Sequence, residues 1–501
     1  MFIMFTRCVI AHKFEFIRPL CTQVRSRPTS NKLIGKVLGQ PTNDTHPHIL
    51  NEGEVTPMTT KYEYETRRTR LVEAITKYSF KNTLRSKNHL IVIPAASKQY
   101  MSDKIPYVFR QNTEFLYLTG CLEPDCCVVL TINDNKHCSS ILFTRDKDDH
   151  AELWDGPRTH PEDAPGFFGV NQSLPISELE NFMGSFKKSQ SNMNLWYDYL
   201  MPVQHNVHSI VKKFMSDGGN KSWENPKNII QQLRLFKSPT EISLMQKTCD
   251  IASEAFVDTI KCSKPGISES HLYAKFDYEC RIRGAEYLAY PPVIAGGNRA
   301  TVIHYINNNQ IVNNGDMVLM DGGCEYHGYA SDITRTWPIN GKFTPEQRDI
   351  YEIVYDVNQE LIEMCKTFPS LDTLFETMCL LLGKRLQNMG LIPPQQSSSH
   401  LMKAAYQLCP HHVSHYLGMD VHDTPTVNRN TVIKPGMIIT IEPGIYINEN
   451  NKLLPEKYHN IGIRIEDDIL ITEHGPVVLS AKCPKHIDEI ERISSEHQQK
   501  L

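Results

Sequence analysis

Five side chains in the second half of the chain are of the types that hold divalent cations: Asp321, Asp332, His415, Glu442 and Glu466. Their spacing lets short antiparallel pairings gather them. Asp321 ends the apolar run Met317-Val318-Leu319-Met320, and Asp332 lies in a second strand-like run that begins near Gly328. The midpoint between them falls at Tyr326-His327, so a hairpin turning there sets the two carboxylates on adjoining strands, facing one another. Carboxylates that close repel each other unless a cation sits between them. The pattern recurs further on. Ile438-Ile439-Thr440-Ile441-Glu442 is a strand ending in an acid, and Ile461-Gly462-Ile463-Arg464-Ile465-Glu466 is another, with a polar loop near residue 454 between them. Antiparallel pairing brings Glu442 to Glu466, and alternation puts the isoleucines on one face and Arg464 with Glu466 on the other.

Four carboxylates and one imidazole suit Mn²⁺, Co²⁺ or Zn²⁺, and the oxygen-rich set leans toward Mn²⁺. Bridging carboxylates would hold two ions about 3.5–4 Å apart and lower the pKa of a bound water to about 7, which supplies hydroxide for hydrolysis at neutral pH. Taken singly, each residue has a plainer explanation. An acid at a strand end is commonly structural, and a lone histidine is commonly just hydrogen-bonded. The combination carries the argument. His411 and His415 stand four apart, as in a helical zinc pair, but the Glu of H-E-x-x-H is absent, which excludes a zincin.

The elements that must position these residues are readable in outline. Lys61 to Ser79 has helical periodicity through Tyr64, Leu71, Ile75 and Tyr78. Short β-like runs follow at Leu90–Ile93, Cys126–Leu130 and Ser140–Phe143. This order predicts an α/β layer domain over residues 56–225. A second domain over 226–485 opens with a helix entered at Ser238-Pro239-Thr240-Glu241, a capping-box pattern. Further helices are expected at about Ser268–Arg283 and Pro345–Gly390, with a strand-rich region over 410–480. Residues 486–501 read as a frayed polar tail.

At 501 residues the chain exceeds one compact core. A net charge of -4 gives no footing for nucleic acid or a polybasic membrane surface. The run Arg67-Arg68-Thr69-Arg70 reads as a solvated helix face. No window comes near the roughly 18 consecutive apolar residues of a membrane span. The 14 cysteines include no C-x-x-C pair, as expected for buried thiols in a reducing compartment. Residues 1–45 read as leader and linker. Seven basic residues precede position 40, and Glu15 is the sole acid before Asp44. That is the pattern of a mitochondrial transit peptide. It predicts a mitochondrial protein, with the matrix as destination, and a cytoplasmic one should the leader be absent.

These motifs resemble those of the aminopeptidase P and prolidase group of creatinase-like, pita-bread metallopeptidases, and most of all the mitochondrial-type Xaa-Pro aminopeptidases. The similarity runs from about Gly39 to Leu479. It rests on Val302-Ile303-His304-Tyr305, Met320-Asp321-Gly322-Gly323, Ser331-Asp332-Ile333-Thr334-Arg335-Thr336, the stretch Ser414-His415 to His422-Asp423, Ile441-Glu442-Pro443-Gly444 and Gly462–Asp467. In the first domain Thr45–His48, Glu54–Pro57, Phe115–Gly120 and Glu152–Arg158 look like the same subfamily. The resemblance implies a creatinase/ribonuclease H-like N-terminal domain and an α+β pita-bread catalytic domain with two divalent ions. Asp321 would ligate one ion with both oxygens, Asp332 and Glu466 would bridge the two, and His415 and Glu442 would complete the second site. Glu442 would also shuttle the proton. His304, His411 and His422 would line the proline pocket, and Arg464 would orient the ligating carboxylates. Trp154 matches a tryptophan that, in related enzymes, reaches a neighbouring subunit's site, which implies a homodimer or higher homo-oligomer.

The expected activity is removal of the residue in front of an N-terminal X-Pro bond in peptides and proteins, by a hydroxide held between the ions. Proline makes a tertiary amide with no N–H, so proteases that grip the scissile N–H find no handle, whereas two metals need only the carbonyl oxygen. The alternatives are a prolidase restricted to X-Pro dipeptides, creatinase-like amidine hydrolysis, and a catalytically dead binding module. The N-terminal motifs disfavour the first two, and retention of all five ligand positions disfavours the third.

Overall fold

The computed structural model describes residues 35–496 apart from 83, 85, 135, 136, 191, 219, 395 and 396. The basic leader over residues 1–34 lies outside the described residues. The expected linker does not behave as one. Leu38 and Leu50 are buried, and the Gln40 side chain donates to the carbonyls of Val55 and Gly120 and accepts from the Leu122 N–H. The first domain therefore closes over a segment that begins well before Thr56.

A six-stranded mixed sheet organises that domain. The strand order is Asn220–Glu224, Asn192–Trp196, His89–Pro94, Cys127–Ile132, Cys138–Thr144 and Gln172–Pro175. The three apolar runs read from the sequence are its central strands. Period-two alternation sends their side chains to two cores. Ile91 and Ile93 pack with Leu71 and Ile75 of the helix Lys61–Lys81. Leu90 and Val92 pack with Leu179, Met183, Val207 and Val211 of the helices Leu179–Ser189 and His205–Ser216 on the other face. Only half of the arginine run is a solvated face: Thr69 and Arg70 are exposed, but Arg67 and Arg68 are buried. Their guanidinium groups donate to the carbonyls of Tyr117 and Leu118 near the end of the helix Thr113–Thr119, where helix carbonyls lack partners and favour cations.

In the second half the helix Pro239–Cys262 starts at the capping box of Ser238 and Glu241. The helix Glu269–Ile282 ends just before Gly284, at φ 102°. The helices Pro345–Met364 and Leu371–Asn388 occupy the expected stretch. Two of the three-stranded antiparallel sheets of this half carry the acids. One is Val293–Gly296, Met317–Gly322 and Ile333–Pro338; the other is Ile438–Ile441, Asp467–Thr472 and Gly475–Val478. The pair Gly444–Ile447 and Ile461–Arg464 continues alongside. Part of the expected frayed tail is ordered: Ile487–Glu496 is a helix with Ile490 and Ile493 buried in the core, and the rest of that tail, residues 497–501, lies outside the described residues. Among the described residues no helix is long and apolar enough to cross a membrane, and no disulfide joins two of the described cysteines.

Candidate metal centre

Pairing register brings the acids together. Ile441 pairs with Asp467 and Gly444 with Arg464, so the register is continuous across the break and Glu442 falls opposite Glu466, as expected. The Asn358 amide, from the helix Pro345–Met364, donates to the carbonyls of Ile441 and Ile465 beside that break. The other hairpin turns one residue later than the sequence midpoint. His327 and Gly328, at φ 50° and 82°, form its two-residue tip, the type I′ geometry. Asp321 consequently pairs with Thr334, and Asp332 is displaced diagonally, opposite Gly323. A Cβ on Gly323 would lie 1.7 Å from the Ser331 carbonyl oxygen, so the backbones touch there and only glycine fits.

His415 arrives by a third route. The Tyr416 backbone bridges to Ile439, the Thr440 N–H donates to the His415 carbonyl, and the Glu442 N–H donates to that of Val413. His415 Nδ1 donates to the Tyr416 carbonyl at 3.1 Å, which leaves Nε2 as the nitrogen facing inward. Nε2 stands 3.3 Å from Asp332 and 3.8 Å from Glu442. Ligand atoms of Asp332, His415 and Glu466 all lie within 4.8 Å of one another. Asp321 joins through Arg464, whose Nη2 donates to Asp321 at 2.7 Å.

The electrostatics of the cluster are unbalanced. Burial, with repulsion from Asp332, Glu442 and Asp321, drives Glu466 well above the carboxylate range. Burial lifts Glu442 to about 7 against the pull of His415 and Arg464, and it raises Asp321 too. Burial opposes charging His415, but its contact with Asp332 prevails and raises it to about 9; the same contact outweighs burial and lowers Asp332. Four carboxylates facing one guanidinium and one imidazole need further positive charge. An oxygen-rich donor set with a deprotonatable imidazole fits divalent cations.

Three histidines flank the cage. Burial and Arg464 hold His411 down at about 4. Burial and His415 lower His422, whose ring centroid lies 4.5 Å from that of His415. His304, exposed just beyond the short helical turn Gly297–Thr301, is close enough to repel charge on both. Trp154 stands apart, three-quarters exposed on the helix Asp149–Asp155 beside His150.

Sequence reasoning missed several groups. The Tyr290 hydroxyl lies 2.6 Å from Asp321 Oδ1 and 2.5 Å from Asp332 Oδ1. Thr334 donates to Glu466 at 2.6 Å and accepts from Arg464 Nε. The Tyr446 hydroxyl contacts both Arg464 Nη1 and His411 Nε2. Thr334 was inside a recognised motif, and the pairing of Asp321 could have singled it out. Tyr290 had no such signal, because it precedes the strand Val293–Gly296 and reaches the cage through tertiary packing.

Residues 243–473 match metallopeptidase family M24, and residues 64–196 match the aminopeptidase P N-terminal domain. The chain is 43% identical to Xaa-Pro aminopeptidase 3 of Mus musculus over 93% of its own length and 92% of the relative's. It is 38% identical to the mitochondrial intermediate cleaving peptidase 55 of Arabidopsis thaliana over 95% and 91%. Aminopeptidase P of Escherichia coli, solved with the inhibitor Pro-Leu, superposes with a TM-score of 0.80 at 32% identity, covering 88% of this chain and 99% of that one. With both matches in sequence order and near-complete coverage, the chain belongs to the M24 metallopeptidases of the aminopeptidase P type, an aminopeptidase P N-terminal domain followed by a pita-bread catalytic domain.

Proposed function

We propose that this chain is a metal-dependent aminopeptidase that hydrolyses the bond between an N-terminal residue and a following proline. The observation that carries the reading is the meeting of ligand atoms from Asp332, His415 and Glu466 within 4.8 Å, beside Asp321, Glu442 and three histidines, in a chain similar from end to end to Xaa-Pro aminopeptidases. Asp321, Asp332, His415, Glu442 and Glu466 would hold two divalent ions, with Mn²⁺ favoured by the oxygen-rich set and Co²⁺ or Zn²⁺ as alternatives. Bound ions supply Lewis-acid polarisation of the scissile carbonyl and an acidified water.

The side chains do the rest. Glu442, held near neutrality by burial, takes a proton on a carboxylate oxygen and returns it to the departing proline nitrogen. His304, His411 and His422 line the pocket for the ring. His411 and His422 are kept neutral by burial, so they donate hydrogen bonds without adding charge. Arg464 fixes Asp321 from behind, and the Tyr446 hydroxyl links Arg464 to His411.

The decisive assay uses purified chain with X-Pro-Y tripeptides and X-Pro dipeptides, with Mn²⁺, Co²⁺, Zn²⁺ or chelator. Cleavage of the tripeptide after its first residue supports the reading. Cleavage of dipeptides alone makes the chain a prolidase, and no metal-dependent cleavage of either removes the proposal. The basic leader and the similarity to mitochondrial intermediate cleaving peptidase 55 support a mitochondrial location, tested by import of the labelled full chain. Exposed Trp154 supports an active site shared between copies in a homo-oligomer; a monodisperse, fully active monomer in sedimentation would end that idea.

A further inference from the structure

His422 is carried by a segment with no regular structure, between the bridge at Tyr416 and the strand Ile438–Ile441. Two residues beyond it, Thr424 has φ 48°, a left-handed conformation that strains a β-branched residue, and its hydroxyl is buried without a hydrogen-bond partner. Such a conformation persists only where the surroundings over-determine it. They do so through the acids on either side of His422. Arg234 Nη2 donates to Asp420 at 2.8 Å and also to Asp423, and Lys237 Nζ donates to Asp423 at 3.1 Å.

Further restraints come from the N-terminal domain. Arg110 Nη2 donates to the Met419 carbonyl at 2.7 Å and to Asp420 Oδ1 at 3.1 Å, and the Thr113 hydroxyl donates to the same Asp420 oxygen at 2.7 Å. Arg110 Nε meanwhile donates to Glu325 at 2.7 Å, inside the hairpin that joins the strands of Asp321 and Asp332. One guanidinium from the first domain thus grips both the His422 segment and the aspartate hairpin of the second. A planar fork can set two elements at a defined spacing, which a lysine point charge cannot.

We infer that Arg110 is a positioning residue for turnover: assisted by Thr113, it sets His422 against the metal centre through Asp420. The inference rests on the proposed role of His422 in the proline pocket. Positioning errors of about 1 Å cost roughly 100-fold in rate. The test is steady-state kinetics of the full-length, metal-loaded chain on an X-Pro-Y peptide, for Arg110→Met, Thr113→Val, His422→Ala and the two double variants with His422→Ala. Arg110→Met is expected to lower kcat about 10- to 100-fold, with a smaller change in KM and unchanged metal content. Thr113→Val, which deletes one hydroxyl, is expected to lower kcat severalfold and serves alone if Arg110→Met does not fold. Once His422 is alanine, neither change should lower the rate further. Additive losses in the double variants would overturn the inference, as would wild-type kcat in both single variants. A silent His422→Ala would instead strike the role of His422 itself, and with it the route proposed for Arg110.

Discussion

Glu442 shares its pocket with three other carboxylates, and burial lifts it to about 7, where a carboxyl can both accept and return a proton. Glu442→Gln keeps the shape, removes the basic oxygen and relieves the charge crowding. It is expected to lower kcat by about 100- to 10,000-fold while leaving the melting temperature of the metal-free protein unchanged or higher, read by peptide turnover at saturating metal beside a thermal melt in chelator. Retained turnover would show that the proton travels elsewhere. His415 gives a pH signature. In the metal-free protein it is raised from 6.5 to about 9, so its contribution to folding is complete below pH 6.5 and fades as pH rises through about 9. Metal binding requires neutral Nε2, so loading the metal-free protein at pH 7 should expel a proton, and affinity should rise with pH until about 9. Titration calorimetry in two buffers of different ionisation heat measures that release; identical heats would contradict it.

At the scale of elements, two close contacts decide whether the strands can carry the cage. The first is the backbone approach at Gly323. In Gly323→Ala the added methyl meets the Ser331 carbonyl at 1.7 Å, and backbone, unlike a flexible side chain, cannot swing away. The change should destabilise by about 1–3 kcal/mol and weaken metal binding, because Asp332 follows directly. Denaturant unfolding and metal titration measure the two effects. The second is the buried Asp467, bonded to Arg335 Nη2 at 2.8 Å and Lys485 Nζ at 2.5 Å. Burial works against its charge, but the two cations prevail and hold it far below the usual carboxylate range. A depressed carboxylate stabilises above its unfolded value, and that stability is lost as pH falls toward the folded value. Asp467→Asn should therefore cost about 3–5 kcal/mol at pH 7, by stranding two buried cations, and progressively less below about pH 4. A cost that stays constant down to pH 3 would refute the ion-pair account.

At the scale of the whole molecule, the proposed metals and the domain seam bear on one another. The proposed ligands come from two hairpins and the His415 segment, so ions that bind only the folded chain would link all three. Chelation should abolish turnover and lower the melting temperature, and added Mn²⁺ at about 100 times its dissociation constant should restore about 2.7 kcal/mol. Differential scanning with and without chelator reads this directly; a melting temperature indifferent to metal would mean that the cage does not bind ions in the folded chain. The seam is polar as well as packed. Ser238, the cap of the long helix Pro239–Cys262, donates to Glu63 at 2.6 Å, and Tyr329 accepts from Arg67 at 3.3 Å while donating to Glu241 at 2.9 Å. The first domain is therefore joined to the second by directional bonds that fix its orientation, which a purely apolar contact would not.

The local sequence determined the helix at Ser238, the three central strands of the first domain, and the opposition of Glu442 and Glu466. Capping chemistry and period-two alternation are properties of neighbouring residues, and an antiparallel register follows once both strands are recognised. Asp321 and Asp332 were readable as a pair, but not their diagonal offset, because that depends on which two residues accept positive φ at the tip. Only the tertiary structure decided that Arg67 and Arg68 are buried on helix carbonyls, that residues 36–50 and 487–496 pack against folded cores, and that Tyr290 and Arg110 reach the catalytic elements. Each of these contacts joins segments far apart in the chain. Whether a charged or aromatic side chain meets a partner or water there is set by packing geometry, which no local pattern of residue types encodes.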